Sequence, residues 1–167
     1  MTYAREDVAR ACLDWGVHLW VPAGIHGPQL MWAIAGCESS FGANAAPRHE
    51  PAYDVGGRYA DNPQQAKLLR EFGSNAACSY GPWQEMLVNV QPPASPEEML
   101  RVNRCAMAHV GYLNTRILKA QHAQTVEEIA AAYNSGKWMW EQEPVGVQRY
   151  AAECRQYYDG VPLPQVA

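Results

Sequence analysis

Pro28-Gln29-Leu30-Met31-Trp32-Ala33-Ile34-Ala35-Gly36-Cys37-Glu38 is the stretch that decides the fold. Pro28 suits the first turn of a helix, where a missing N–H is no loss. From Gln29 to about Cys37 the residues are apolar nearly all round. A helix without a polar face belongs at the buried centre of a domain. It needs amphipathic neighbours to cover it, and residues 4–20 supply one. Val8, Ala11, Cys12, Trp15 and Leu19 recur there at helical spacing behind Arg5, Glu6 and Asp7. Val21 to Gly27 is the turn between the two.

On the other side of the central helix, residues 41–61 are rich in Gly, Pro, Asn, Tyr and Asp. They read as a long loop, and long loops inside compact domains are often functional. Asn62-Pro63 starts a short helix through Phe72. Gly73 to Pro82 is loop again, and Trp83 to Val90 reads as a helical turn stopped by Pro92-Pro93. Ser95-Pro96-Glu97-Glu98 combines a cap, a first-turn Pro and two acids, so a helix is expected from there to about Gln121. Thr125-Val126-Glu127-Glu128 is a capping box opening a helix to Tyr133, which Asn134, Ser135 and Gly136 end. A last helix is expected from Val145 to Tyr158. The fold class is all-α, with six or seven helices in one domain over residues 1–167.

Composition agrees. Hydrophobic residues make up 48% and charged residues 18%, which marks a folded chain with a core. The net charge is −4 and no basic stripe exists, so nucleic acid is not an expected ligand. No run is long enough to insert into a membrane, and the first twenty residues lack the apolar core of a signal peptide. The expectation is synthesis in a cytoplasm without a leader. Cys12, Cys37, Cys78, Cys105 and Cys154 are odd in number and widely spaced, with no CxxC pair. They read as reduced thiols rather than a zinc site, and neither metal nor cofactor is expected. His109 and His122 lack ligand spacing.

Three segments carry chemistry. Glu38 stands at the C-terminal end of the central helix, where the helix dipole and apolar neighbours both disfavour its ionised form. A carboxylic acid that keeps its proton near neutral pH can protonate a glycosidic oxygen. On position alone, an ordinary helix-end glutamate is the alternative. Ser79-Tyr80-Gly81-Pro82-Trp83-Gln84-Glu85-Met86 offers close backbone approach at Gly81, a two-sided amide at Gln84, and flat aromatic faces. Ala130-Ala131-Ala132-Tyr133-Asn134-Ser135-Gly136 is at least a helix stop. Trp138, Trp140, Tyr150, Tyr157 and Tyr158 are available as core or as a sugar platform.

In this order and spacing, Glu38-Ser39-Ser40-Phe41 with Asn44 and Ala45, then Gly81 to Met86, then Ala132-Tyr133-Asn134-Ser135-Gly136 resemble the lytic transglycosylase and goose-type lysozyme superfamily. The resemblance spans about residues 28–158. Pro82-Trp83 replaces the family's Leu-Met, and the stretch between the first two motifs is long. The resemblance implies a lysozyme-like helical domain with a saccharide groove, acting as a monomer on peptidoglycan glycan strands. It implies cleavage of the β-1,4 bond between N-acetylmuramic acid and N-acetylglucosamine, with Glu38 as acid and then base. Gly81, Gln84 and Met86 would line the groove. Tyr133 would hydrogen-bond near Glu38, and Asn134 would fix its segment. Lytic transglycosylation, closing a 1,6-anhydro ring, is the leading expectation. A hydrolytic lysozyme with Glu50 or Asp54 activating water is the near alternative, and an Arg48 pair with Glu50 or Asp54 merely stapling the loop is the plainer reading. A non-catalytic wall-binding or assembly module is the alternative of another class. A leaderless enzyme of this kind would be a bacteriophage endolysin passing a holin pore, or be carried on a virion or by a secretion system.

Overall fold

The computed structural model describes residues 1–166. They are mostly helical. Helix α1 spans Arg5–Gly16, α2 Gly27–Ser39 and α3 Pro63–Phe72. Helix α4 is the single turn Pro96–Met99. Helix α5, Val102–Tyr112, runs through a π-helical stretch at Leu113–Leu118 into the short α6, Lys119–Gln121. Helices α7, Val126–Ser135, and α8, Val145–Gly160, complete the set.

Helix α2 is the centre, as its sequence requires. Leu30, Met31, Trp32, Ala33, Ile34 and Ala35 are all fully buried. Helices α1 and α8 pack on it. The α1–α2 corner is so tight that a Cβ on Gly27 would stand 2.2 Å from the Gly16 carbonyl oxygen. Asn114, buried in the π-helical stretch, holds that corner from below. Its Oδ1 accepts from the Trp20 N–H at 2.8 Å and its Nδ2 donates to the His18 carbonyl at 2.9 Å. A π turn shifts the side-chain register of a helix, and here it accompanies a polar side chain placed where two loop groups need partners.

Two expectations change. The all-α class holds, and a small antiparallel sheet accompanies the helices, ordered β1-β2-β3: Arg48–His49, Cys78–Tyr80 and Glu85–Met86. Trp83 to Val90 is therefore no helical turn. Gly81 (φ +71°) and Gln84 (φ +50°) reverse the chain, and the Gln84 N–H donates to the Gly81 carbonyl at 3.1 Å. Glu85 and Met86 then pair with Tyr80 and Ser79, and Leu87–Asn89 forms a 3-10 turn after them. The other change is a break in the helix expected from residue 95 to 121. Arg101 is extended, with φ −89° and ψ 121°. The Tyr3 hydroxyl donates to the Leu100 carbonyl at the break, at 2.7 Å. The capping box at Thr125 forms as read, and the cap at Ser95 is a full capping box as well, closed by Glu98.

The five cysteines are unpaired, and Cys12, Cys105 and Cys154 are buried. Among the described residues, no helix is long and apolar enough to cross a membrane.

Candidate active site

The sheet and the helices meet at the end of α2. Ser40 and Phe41 both take left-handed backbone conformations there, which stop the helix and leave Glu38 in its last turn. Ser39 fastens this end to the β2–β3 turn. Its hydroxyl donates to the Pro82 carbonyl at 2.8 Å and accepts from the Gly42 N–H at 2.9 Å. The Trp83 indole N–H donates to the Met31 carbonyl at 2.9 Å. The helix end and the turn are thus one rigid unit, and a groove of about 520 Å³ lies over it.

Glu38, Glu50, Gln84, Met86, Tyr133 and Asn134 all line this groove. Residues far apart in sequence are thus brought together. The Glu38 side chain is only 9% exposed. Burial raises its pKa, and the charges of Glu85 and Glu50 push the same way. A hydrogen bond from Tyr150 and the Arg48 guanidinium pull against that rise without cancelling it. The Tyr150 hydroxyl donates to Glu38 Oε1 at 2.7 Å, and Arg48 Nη2 stands 3.9 Å from Glu38 Oε2. Each oxygen of the carboxyl therefore has its own neighbour, and the group is oriented as well as desolvated.

The remaining expected residues divide. Glu50 faces the groove, but Arg48 Nε donates to its Oε1 at 2.7 Å and Ser79 Oγ lies 3.2 Å from the same oxygen. The stapling pair anticipated in the loop is thus Arg48–Glu50. Asp54 is not among the groove residues: it pairs with His49 at 2.7 Å, caps the Val55 N–H, and so serves its own loop. Gly81 does not line the groove either. A Cβ there would lie 2.5 Å from Cys105 Sγ, so the glycine lets the turn sit on α5. Gln84 faces the groove with its amide already engaged. Its Nε2 donates to the Gly81 carbonyl at 2.9 Å and its Oε1 accepts from Ser79 Oγ at 2.8 Å. Asn134 is exposed, and its side chain makes no hydrogen bond with the described residues.

Tyr133 differs most from expectation. Its hydroxyl donates to the Trp83 carbonyl and stands 3.2 Å from Glu85 Oε1, so it braces the β3 turn and makes no hydrogen bond with Glu38. The hydroxyl on Glu38 is that of Tyr150, a residue that reads in sequence as one more aromatic of α8. Glu85 has no assigned role in the sequence motif, yet it belongs to the site. It is 2% exposed, lines the groove, and holds His109 Nδ1 at 2.7 Å. His109 is fully buried between the Trp83 ring, stacked at 5.5 Å, and the edge-on Tyr133 ring at 5.1 Å. The signal for Glu85 is a lone carboxylate in a segment otherwise without charge, Ser79 to Val90. The signal for Tyr150 does not exist locally, because its partner is 112 positions away.

Chemically, the groove offers one protonatable acid poised at its wall, a cation beside it, and two further carboxylates. Among the described residues no cluster of three or more His, Cys, Asp or Glu could hold a metal ion. Such a site suits proton transfer to a leaving oxygen in an extended, polar ligand. No family model, curated protein or solved structure matches the chain.

Proposed function

We propose that this chain is a muralytic glycosidase of lysozyme-like fold, cleaving the β-1,4 bond between N-acetylmuramic acid and N-acetylglucosamine by lytic transglycosylation. The observation that carries the reading is Glu38 itself: a desolvated carboxyl, raised in pKa and held by Tyr150, on the wall of a groove that also gathers Gln84, Met86 and Tyr133. The sequence resemblance supplies the substrate.

In this mechanism the Glu38 proton passes to the glycosidic oxygen as the C1–O bond breaks, and the N-acetyl carbonyl oxygen of the muramic residue attacks C1. The Glu38 carboxylate then takes the proton of the C6 hydroxyl. The C6 oxygen closes on C1, expels the N-acetyl oxygen and forms the 1,6-anhydro ring, with Glu38 protonated again. Arg48 and Tyr150 stabilise the carboxylate between the two proton transfers. No second carboxylate is required, which suits a groove where Arg48 and Ser79 already engage Glu50.

Hydrolysis is the second reading, favoured by one feature: Arg48 lies between Glu38 and Glu50. Inverting glycosidases place two carboxylates ~6.5–9.5 Å apart with a water between them. Glu50 is then the water-activating base, since Asp54 pairs with His49 and does not line the groove. Mass spectrometry of the products from purified peptidoglycan decides between them. Anhydromuramic ends are expected, and reducing ends alone exclude transglycosylation. Glu38→Gln should lower the rate by about a hundredfold or more. A variant that still cleared walls at the wild-type rate would favour a non-catalytic binding module.

A further inference from the structure

Glu38 and Tyr150 mark where the end of α2 meets α8, and their contact sets the register of the two packed helices. Two residues before Glu38, a Cβ on Gly36 would stand 3.0 Å from Tyr157 Cδ2. The stretch of α8 between Tyr150 and Tyr157 therefore faces the last turn of α2. Each helix puts a cysteine into that interval, Cys37 from α2 and Cys154 from α8. Cys154 follows Tyr150 by one helical turn and so shares its face. Its thiol hydrogen-bonds the Cys37 sulfur. The two sulfurs are in contact across the interface, and neither is covalently paired.

The pair is asymmetric. Cys37 is half-buried at the edge of the core, whereas Cys154 is fully buried. A reagent in solution reaches Cys37 and not Cys154. The bond to Cys37 and burial both hold the proton on Cys154. An accessible thiol that attacks first, with a buried one behind it to resolve the adduct, is what disulfide exchange requires. The other cysteines lack that arrangement. Cys12 and Cys105 are buried, and Cys105 Sγ donates to the Tyr80 carbonyl at 3.4 Å. Cys78 is half-buried, but its Sγ donates to the Ser74 carbonyl at 3.7 Å and bonds no second cysteine among the described residues.

We propose that Cys37 and Cys154 form a thiol–disulfide exchange site, which a low-molecular-weight disulfide oxidises to a bridge clamping α2 to α8 beside Glu38. The Cys37 thiolate attacks one sulfur of the reagent, whose S–S bond breaks and releases one thiolate. The Cys154 thiol then gives its proton to solvent and attacks Cys37 Sγ, expelling the second reagent thiolate. Two protein thiols are oxidised, and the two electrons reduce the reagent to two thiols. The bridge closes a loop that takes in most of the chain, and long loops restrict the unfolded chain most. The site is defined by helix packing alone, so it stands or falls independently of the glycosidase reading.

The test takes the full chain, fully reduced, then held with glutathione disulfide at about pH 8.5, near the pKa of an ordinary thiol. Peptide mass spectrometry without reductant should find Cys37 joined to Cys154, with the mass of two hydrogens lost. Cys78 should carry a glutathione adduct, which shows that the reagent is active. Oxidation should raise Tm by about 5 °C or more, and dithiothreitol should return it to the reduced value. Cys37→Ser changes a half-buried position, and circular dichroism checks that its fold is kept. It should lose both the cross-link and the rise in Tm. A glutathione adduct that persists on Cys37, a bridge between other cysteines, or an unmodified Cys37 beside a modified Cys78 overturns the site. A rise in Tm that survives in Cys37→Ser, or a Cys37–Cys154 bridge that forms without one, overturns the clamp.

Discussion

Burial raises the pKa of the Glu38 carboxyl, and the same burial makes its ionised form a burden on the folded chain. A carboxyl whose folded pKa lies above its unfolded value leaves stability untouched below the unfolded value, near 4.5. Stability is lost as pH rises through the raised folded value. Glutamine cannot ionise, and its amide oxygen can still accept from Tyr150. Glu38→Gln should therefore match the wild type in Tm near about pH 4 and exceed it once pH has risen through the raised folded value. A Tm difference that shrinks with rising pH would contradict the desolvated carboxyl. Tyr150 tests the same balance from the other side. Its hydrogen bond favours the ionised form, so Tyr150→Phe should raise the Glu38 pKa further. An acid works only while protonated, so the alkaline limb of the pH–rate profile should move to higher pH. The lost orientation should also lower kcat by about tenfold. A limb that moves to lower pH, or stays, removes Tyr150 from the role.

At the scale of elements, the sequence is most legible where the signal is local. The apolar run of α2, the two capping boxes and the Asn62-Pro63 start of α3 each declare a helix through neighbours a few positions away. The sheet makes no such declaration, because strands of two or three residues are too short to show alternation. They exist because Gly81 and Gln84 turn the chain, and turn residues read as loop until the pairing is seen. The same limit explains the site. Glu38, Gln84 and Met86 were found through motifs, whereas Tyr150 and His109 enter through contacts 112 and 24 residues long. Gly81 shows how a motif residue can be assigned the wrong duty. Its value lies in the positive φ and in the contact with Cys105. Gly81→Ala should thus cost about 2 kcal/mol or more in denaturant unfolding. KM should change little for the fraction that remains folded. A stable variant with a raised KM would return Gly81 to the groove.

Across the whole molecule, no contiguous segment contains the site. Glu38 comes from α2, Arg48 and Glu50 from the first strand and its sequel, Gln84 from the β2–β3 turn, and Tyr133 and Tyr150 from α7 and α8. The sheet is locked to the helices by buried polar contacts: Ser39 to Pro82, Trp83 to Met31, Tyr133 to Trp83 and Glu85 to His109. A buried hydrogen bond that opens leaves unmet groups on both sides, each costing about 1–3 kcal/mol. The sheet side therefore cannot swing away from the helices while the helices stay packed. One hydrophobic cluster also runs from Val8 in α1 through Trp83 in the turn to Cys154 in α8. Activity and structure should then fail together. In a urea series, loss of wall-clearing activity, of far-UV circular dichroism and of the signal from the buried Trp32 and Trp83 should share one midpoint, as in two-state unfolding. If activity disappears well before the helical signal, the groove opens on its own. The lock between the sheet and the helices would then be weaker than its four contacts indicate.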